Sequence, residues 1–286
     1  MAENVSKAVL ITGCSTGIGR ATAKYLAERG HTVYATARKI ESIKDLEEHG
    51  CRLLQLDVTD EESMQRAVAA VEEQEGAVGA LVNNAGYSLS GAIESVSMDE
   101  VRKQFETNVL GLIRMCQLVL PGMRKQRHGR IVNVSSMGGK LTFPGGGIYH
   151  ATKHAVEGLS DVLRFESRGF GVDVSIIEPG LIKTEFGNAA VGALGRATLD
   201  DGPYAEFNNV VAATTAGAYE GPGARLAAPP ESVARAIHKA ITRRRPRPRY
   251  VITVGARLML GVRALTPDRG WDAMMASRFP RPGVKS

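Results

Sequence analysis

Ala8-Val9-Leu10-Ile11-Thr12-Gly13-Cys14-Ser15-Thr16-Gly17-Ile18-Gly19 joins an apolar run to a glycine-rich turn, and Gly17 to Arg29 continues with helical periodicity. The run is the kind that forms a strand buried on both faces. Glycine lets the turn bend tightly and lets a phosphate come close to the backbone. The helix start then offers unpaired N–H groups and the positive end of its dipole to an anion. Taken alone, such a turn also fits an ordinary loop. Its place between a strand and a helix is what points to a dinucleotide.

The same alternation continues outward from that unit. Val33-Tyr34-Ala35-Thr36, Leu53-Leu54-Gln55-Leu56, Ala80-Leu81-Val82, Arg130 to Val134 and Val172 to Ile177 read as further strands. Helical patterns separate them: Ile40 to Glu48, Asp60 to Glu75, Met98 to Arg127 and Tyr149 to Arg168. Repeated strand–helix units predict an α/β chain, a single Rossmann-type domain over residues 1–286. The expected sheet is parallel and doubly wound, of about seven strands with helices on both faces, and binds ligands beyond the strands' carboxyl ends. Residues 187–230 are rich in Gly and Ala and predict an insertion with weak helical signals, placed as a substrate lid. A helix from Pro230 and a last strand, Tyr250 to Val254, follow. The tail, 256–286, carries Leu258, Met259, Leu260, Trp271, Met274 and Met275. These residues fit a pocket cap, core, a dimer contact or a surface anchor.

Composition narrows the function classes. The chain has 286 residues, 43% hydrophobic and 23% charged, as in ordinary globular proteins. The net charge of +6 owes much to Arg243-Arg244-Arg245-Pro246-Arg247-Pro248-Arg249, which reads as an exposed connection rather than a nucleic-acid surface. Three cysteines, none paired at metal-ligand spacing, argue against a disulfide framework and for a reducing compartment. No signal-peptide or membrane-spanning pattern is present, and no metal cluster stands out, so a cytoplasmic location is expected.

Several further motifs follow in order. Asn83-Asn84-Ala85-Gly86 comes after the fourth strand, and Ser136 precedes Tyr149-x-x-x-Lys153. Asn108 lies in the long helical segment, and Pro179-Gly180 is followed by Ile182 and Thr184. With the G-x-x-x-G-x-G turn, this set resembles the short-chain dehydrogenase/reductase family over about residues 7–186. Val33 to Arg38, Glu106 to Val109 and Tyr149 to Ala155 look like its hydroxysteroid and retinol dehydrogenase branches.

The resemblance implies an oxidoreductase that moves a hydride between a nicotinamide cofactor and an alcohol or carbonyl compound. It places Gly13, Ser15, Thr16, Gly17, Ile18 and Gly19, with Asn84, Ala85 and Gly86, around the cofactor. Asp57 and Val58 resemble the family's adenine contacts, and Pro179, Gly180, Ile182 and Thr184 its contacts beyond the sixth strand. At the end of the second strand a carboxylate would favour NAD(H) and repel a 2′-phosphate. Ala37 and Arg38 stand there instead, and a guanidinium pairs with phosphate, so NADP(H) is expected over NAD(H).

Tyr149 and Lys153 share a helix face. An unperturbed tyrosine titrates near ~10, and a neighbouring ammonium favours the phenolate. Tyr149 is therefore the expected proton donor in reduction, and Ser136 the hydrogen-bond donor to the substrate oxygen. By resemblance, Lys153 reaches the nicotinamide ribose and Asn108 holds a water in a relay behind it. Ser135 is expected to pack or to bond the backbone, and His150 and His154 to face away on other sides of the helix. The expected substrate is a hydrophobic small molecule, steroid-, retinoid- or lipid-like. A reductase of an acyl chain or small ketone, and an NADP(H)-sensing regulator, stay open as alternatives. The family's habit of pairing its two long helices implies a homodimer or homotetramer.

Overall fold

The computed structural model describes residues 5–184, 202–220 and 227–283. Seven parallel strands form one sheet: β1 (Val9–Ile11), β2 (Val33–Ala37), β3 (Arg52–Gln55), β4 (Ala80–Asn83), β5 (Gly129–Val134), β6 (Val172–Glu178) and β7 (Arg249–Val251). Their order is β3-β2-β1-β4-β5-β6-β7. The direction of winding reverses between β1 and β4, which leaves a crevice at their carboxyl ends.

Side-chain alternation along β1 divides the core. Val9 and Ile11 pack on one face with Leu26 of α1 (Gly17–Ala27), Ile43 of a 3-10 helix (Ile40–His49) and Ile237 of the helix Pro230–Thr242. Leu10 points to the other face, onto Val68 of α2 (Glu61–Glu75), Val119 of the helix Gly111–Lys125 and Val156 of the helix Gly147–Arg168. Burial on both faces is why the strands read as near-continuous apolar runs.

The long segment expected from Met98 is two helices, α3 (Met98–Phe105) and α4 (Gly111–Lys125), joined by a π-turn at Glu106–Leu110. The wider turn shifts the helical phase and brings Asn108 and Val109 into the interior. Beyond it come α5 (Gly147–Arg168), α6 (Ala205–Glu220), α7 (Pro230–Thr242), α8 (Val254–Leu265) and α9 (Asp268–Ala276). The last strand is shorter than its β-branched sequence suggests. Thr253 Oγ1 accepts a 3.1 Å hydrogen bond from Ala256 N, so Thr253 caps α8 and Val254 begins it. Of the predicted insertion, residues 187–201 and 221–226 lie outside the described residues.

The arginine run also divides. Arg243, Arg244, Arg245 and Arg247 are exposed between α7 and β7. Arg249 is not part of that exposed connection, since its guanidinium turns inward and pairs with Glu157, Asp161 and Glu178. Among the described residues no helix is long and apolar enough to cross a membrane, and no His, Cys, Asp or Glu cluster could hold a metal ion.

Candidate active site

A cavity of about 1220 Å³ opens at the carboxyl ends of the strands. The predicted site residues line it, except Gly19 and Asn108, which sit just behind its wall.

The floor is the β1–α1 turn. Gly13 has φ +73°, in the left-handed region that favours glycine. Asn84 Nδ2 donates to the carbonyl oxygens of Thr12 and Gly13, both at 2.9 Å. Thr12 Oγ1 accepts from Asn84 N and Ala85 N at 3.0 Å. These four bonds tie the β1 turn to the segment after β4. Gly19 packs beneath, where a Cβ would overlap Gly13 O and Asn84 Nδ2. The start of α1 has no side-chain cap and no acidic residue in its first turn. Its N–H groups are thus open to an anion, and the cradle fits a dinucleotide pyrophosphate.

Ala37 is buried at the end of β2, and Arg38 follows it on the cavity wall. The Arg38 backbone oxygen accepts from Gln55 Nε2 at 3.1 Å, which anchors the main chain. Its guanidinium has no ion-pair partner among the described residues. Arg20 is engaged elsewhere, with Asp45 and the Ser15 and Ser42 carbonyls. Asp57 Oδ1 accepts from Thr59 N at 2.9 Å and Thr59 Oγ1 at 2.8 Å, which fixes the turn that also carries Val58.

Tyr149 and Lys153 face the cavity from α5. Lys153 is 7% exposed, and its Nζ donates to the Val134 carbonyl oxygen at 2.9 Å. Burial pushes its pKa down to about 8, against the opposing pull of Glu157. Ser136 follows β5 in extended backbone, and its Oγ accepts from Gly138 N at 3.0 Å. That bond uses a lone pair and leaves the hydroxyl proton for another acceptor. Ser135 instead sends its backbone N–H to Ile177 O at 2.8 Å.

The Asn108 side chain does not reach the cavity. Its Oδ1 accepts from Tyr87 N at 3.1 Å, and its Nδ2 donates to Tyr87 O at 2.9 Å and Thr152 Oγ1 at 3.1 Å. Pro179 O accepts from Met137 N at 2.9 Å. Leu181 O and Lys183 N bond the backbone of Ala228, which holds Ile182 and Thr184 beside the cradle.

His154 points away, but His150 does not: it is buried and lines the cavity. The far wall combines Phe143, Val211 of α6, Met259 of α8, Met275 of α9 and Phe279. Of these, the sequence offered Val211, through the 187–230 insertion, and Met259 and Met275, through the tail, but not Phe143 or Phe279. Trp271, Met275 and Leu141 form a small separate core that seats the tail against the loop after Ser136. The tail residues Met259 and Met275 therefore face the site, whereas Leu258 is 69% exposed. Cys14 is fully buried in the cradle's core, and burial pushes its thiol up to about 12, so it is inert at neutral pH.

Comparisons with known proteins agree with this geometry. The family model described as short chain dehydrogenase matches residues 7–193. The chain is 34% identical over 282 residues to the uncharacterized oxidoreductase YusZ of Bacillus subtilis, covering 96% of this chain and 98% of that one. It is 43% identical over 179 residues to a 3-ketodihydrosphingosine reductase of Bacteroides thetaiotaomicron, covering 62% of this chain and 65% of that reductase, less than two thirds of its length. Among solved structures, a short-chain dehydrogenase from Streptomyces avermitilis superposes with a TM-score of 0.78 at 32% identity, covering 97% of this chain and 96% of that one. A serine dehydrogenase in closed form, complexed with NADP+, gives 0.74 at 30% identity, covering 86% and 94%. On the sheet order, the cradle and these likenesses together, the chain belongs to the short-chain dehydrogenase/reductase family.

Proposed function

We propose that the protein interconverts an alcohol and a ketone or aldehyde with NADP(H), with Tyr149 as the proton donor. The observation that carries this is the convergence of Ser136, Tyr149 and Lys153 on the cavity that the glycine turn also lines. The nicotinamide, when bound, supplies or accepts the hydride. Tyr149 then gives its hydroxyl proton to the developing alkoxide, or takes one in the reverse direction. Ser136 donates a hydrogen bond to the same oxygen and stabilises its charge. Lys153, held by Val134 O, offers an ammonium that stabilises the Tyr149 phenolate and a donor for the cofactor ribose. Asn108 serves this site from behind, bracing Tyr87 and Thr152 through its amide.

Arg38 beside Ala37 supports NADP(H) over NAD(H), and solved relatives described with bound NADP point the same way. Phe143, Val211, Met259, Met275 and Phe279 support a hydrophobic substrate, steroid-, retinoid- or lipid-like. Within the predicted 187–230 insertion, α6 serves as a lid. Asn208 Oδ1 accepts from Ala92 N at 2.9 Å, and Tyr204 OH donates to Glu94 at 2.7 Å, which ties α6 to the rim. Val162 and Phe165 of α5, with Phe170, leave an exposed apolar face suited to a second copy of the chain.

The test is NADPH oxidation against steroids, retinoids, long-chain ketones, small ketones and acyl compounds. The reading expects turnover of bulky apolar carbonyls. Turnover confined to small ketones or acyl compounds would replace the substrate class. No turnover of any compound, with intact NADPH binding, would favour a cofactor-sensing role.

A further inference from the structure

His150 follows Tyr149 on α5, and the mechanism above does not use it. Both ring nitrogens are engaged. Nδ1 lies 2.9 Å from the Gly138 carbonyl oxygen, and the Phe143 backbone N–H donates to Nε2 at 3.1 Å. A carbonyl only accepts and a backbone N–H only donates. The two partners therefore set the tautomer: Nδ1 carries the proton and Nε2 is bare. Burial pushes the ring's pKa down, the bond to Gly138 opposes this, and His154 adds to the fall. The ring is thus neutral at neutral pH.

The surroundings leave room for this ring and little else. A Cβ on Gly138 would lie 2.6 Å from Nδ1, and one on Gly146 would lie 2.7 Å from Nε2. Gly138 also works in two directions, because its N–H donates to Ser136 Oγ at 3.0 Å while its carbonyl oxygen accepts the hydrogen bond from His150 Nδ1. Phe143 continues outward: its ring lies 6.0 Å from His150 and 6.2 Å from Trp271. Trp271 Nε1 in turn donates to Thr142 O at 3.2 Å.

We propose that His150 is a positioning residue that locks the 137–146 segment to α5, so that Ser136 and the Phe143 wall keep a fixed place relative to Tyr149. Neighbouring residues of one rigid helix then serve the two sides of the reaction: Tyr149 meets the reacting oxygen, and His150 sets the turn that aims Ser136. The proposal rests on the functional reading above for its consequence in turnover, but its structural half stands apart from it. A displacement of about 1 Å in a reacting group lowers a rate by as much as ~10²-fold.

The test compares His150→Gln with His150→Leu. Glutamine supplies one donor and one acceptor without titrating, whereas leucine supplies bulk and no hydrogen bond. Hydrogen exchange at the Phe143 and Gly138 amides reads the lock and needs no substrate. Turnover of the best compound from the panel, with NADPH affinity by fluorescence, reads the consequence. The expected result for His150→Leu is loss of protection at Phe143 and a kcat lowered at least ~10-fold, with NADPH affinity unchanged. His150→Gln is expected to restore protection and most of the turnover. Native protection and kcat in His150→Leu would overturn the proposal, as would equal impairment of both variants. If Tyr149→Phe turned over normally, the mechanism would fall while the exchange result still decided the lock.

Discussion

Lys153 Nζ lies 5.8 Å from the centre of the Tyr149 ring while it donates a 2.9 Å hydrogen bond to the carbonyl oxygen of Val134. One turn of α5 sets the first distance, and the end of β5 sets the second direction. With its pKa pushed down to about 8, Lys153 is charged at pH 7 and loses its proton as pH rises through 8. NADPH affinity of the free protein is therefore expected to weaken as pH rises from 7 to 9. Lys153→Ala should weaken affinity at pH 7, lower turnover by ~10²-fold or more, and flatten that pH dependence. Fluorescence titration of NADPH across the range checks it. An unchanged slope in the variant would assign the titration to another group.

Cofactor choice turns on Ala37 and Arg38. Ala37→Asp with Arg38→Leu places a carboxylate at the end of β2 and removes the guanidinium. The double variant is expected to shift the ratio of NADPH to NADH affinity by at least tenfold toward NADH, about 1.4 kcal/mol. Dissociation constants for both cofactors measure it. Equal affinities in the parent protein would remove the argument from Arg38.

Glu178 gives a stability prediction. Burial first, then repulsion by Glu157, pushes its carboxyl from the ordinary 4.5 up to about 7, against Lys140 and Arg249. The folded protein thus holds a proton that the unfolded chain releases. This contribution is fully present below pH 4.5 and is lost as pH rises through 7. Glu178→Gln mimics the protonated form. It should gain on the parent between pH 5 and 8, by on the order of 2 kcal/mol. Urea unfolding at pH 5 and pH 8 reads the difference. A constant gap at the two values would contradict the assignment.

The outer face of α5 carries the oligomer prediction. Phe165 is 87% exposed and Val162 57%. Light scattering at micromolar concentration is expected to find a dimer or tetramer, and Phe165→Glu to shift it toward monomer. A monomeric parent protein would dismiss the face as an interface.

The alternation of strands and helices and the glycine turn were legible because both depend on local pattern. Val9 to Ile11 is buried on both faces, and Gly13 to Gly19 must approach a ligand closely. Elements set by distant partners were harder to read. The π-turn at Glu106–Leu110 inserts a phase shift that an otherwise regular amphipathic pattern hides. Thr253 and Val254 look like strand continuation until Thr253 is seen capping α8. Arg249 ends an exposed arginine run, yet three carboxylates from α5 and β6 draw it inward. His150 has a role only because Gly138 and Gly146 leave space for its ring. The tail's apolar residues were visible, but which of them face the site depends on how α8 and α9 dock on Leu141 and Phe143.

The most direct test of the account is Tyr149→Phe, which keeps the ring and removes only the hydroxyl. Single-turnover hydride transfer is measured with the best carbonyl compound of the panel, beside NADPH affinity and thermal stability. The account predicts affinity and stability close to the parent's and a transfer rate lowered by at least ~10²-fold. A Tyr149→Phe protein that transfers hydride at the parental rate would contradict it.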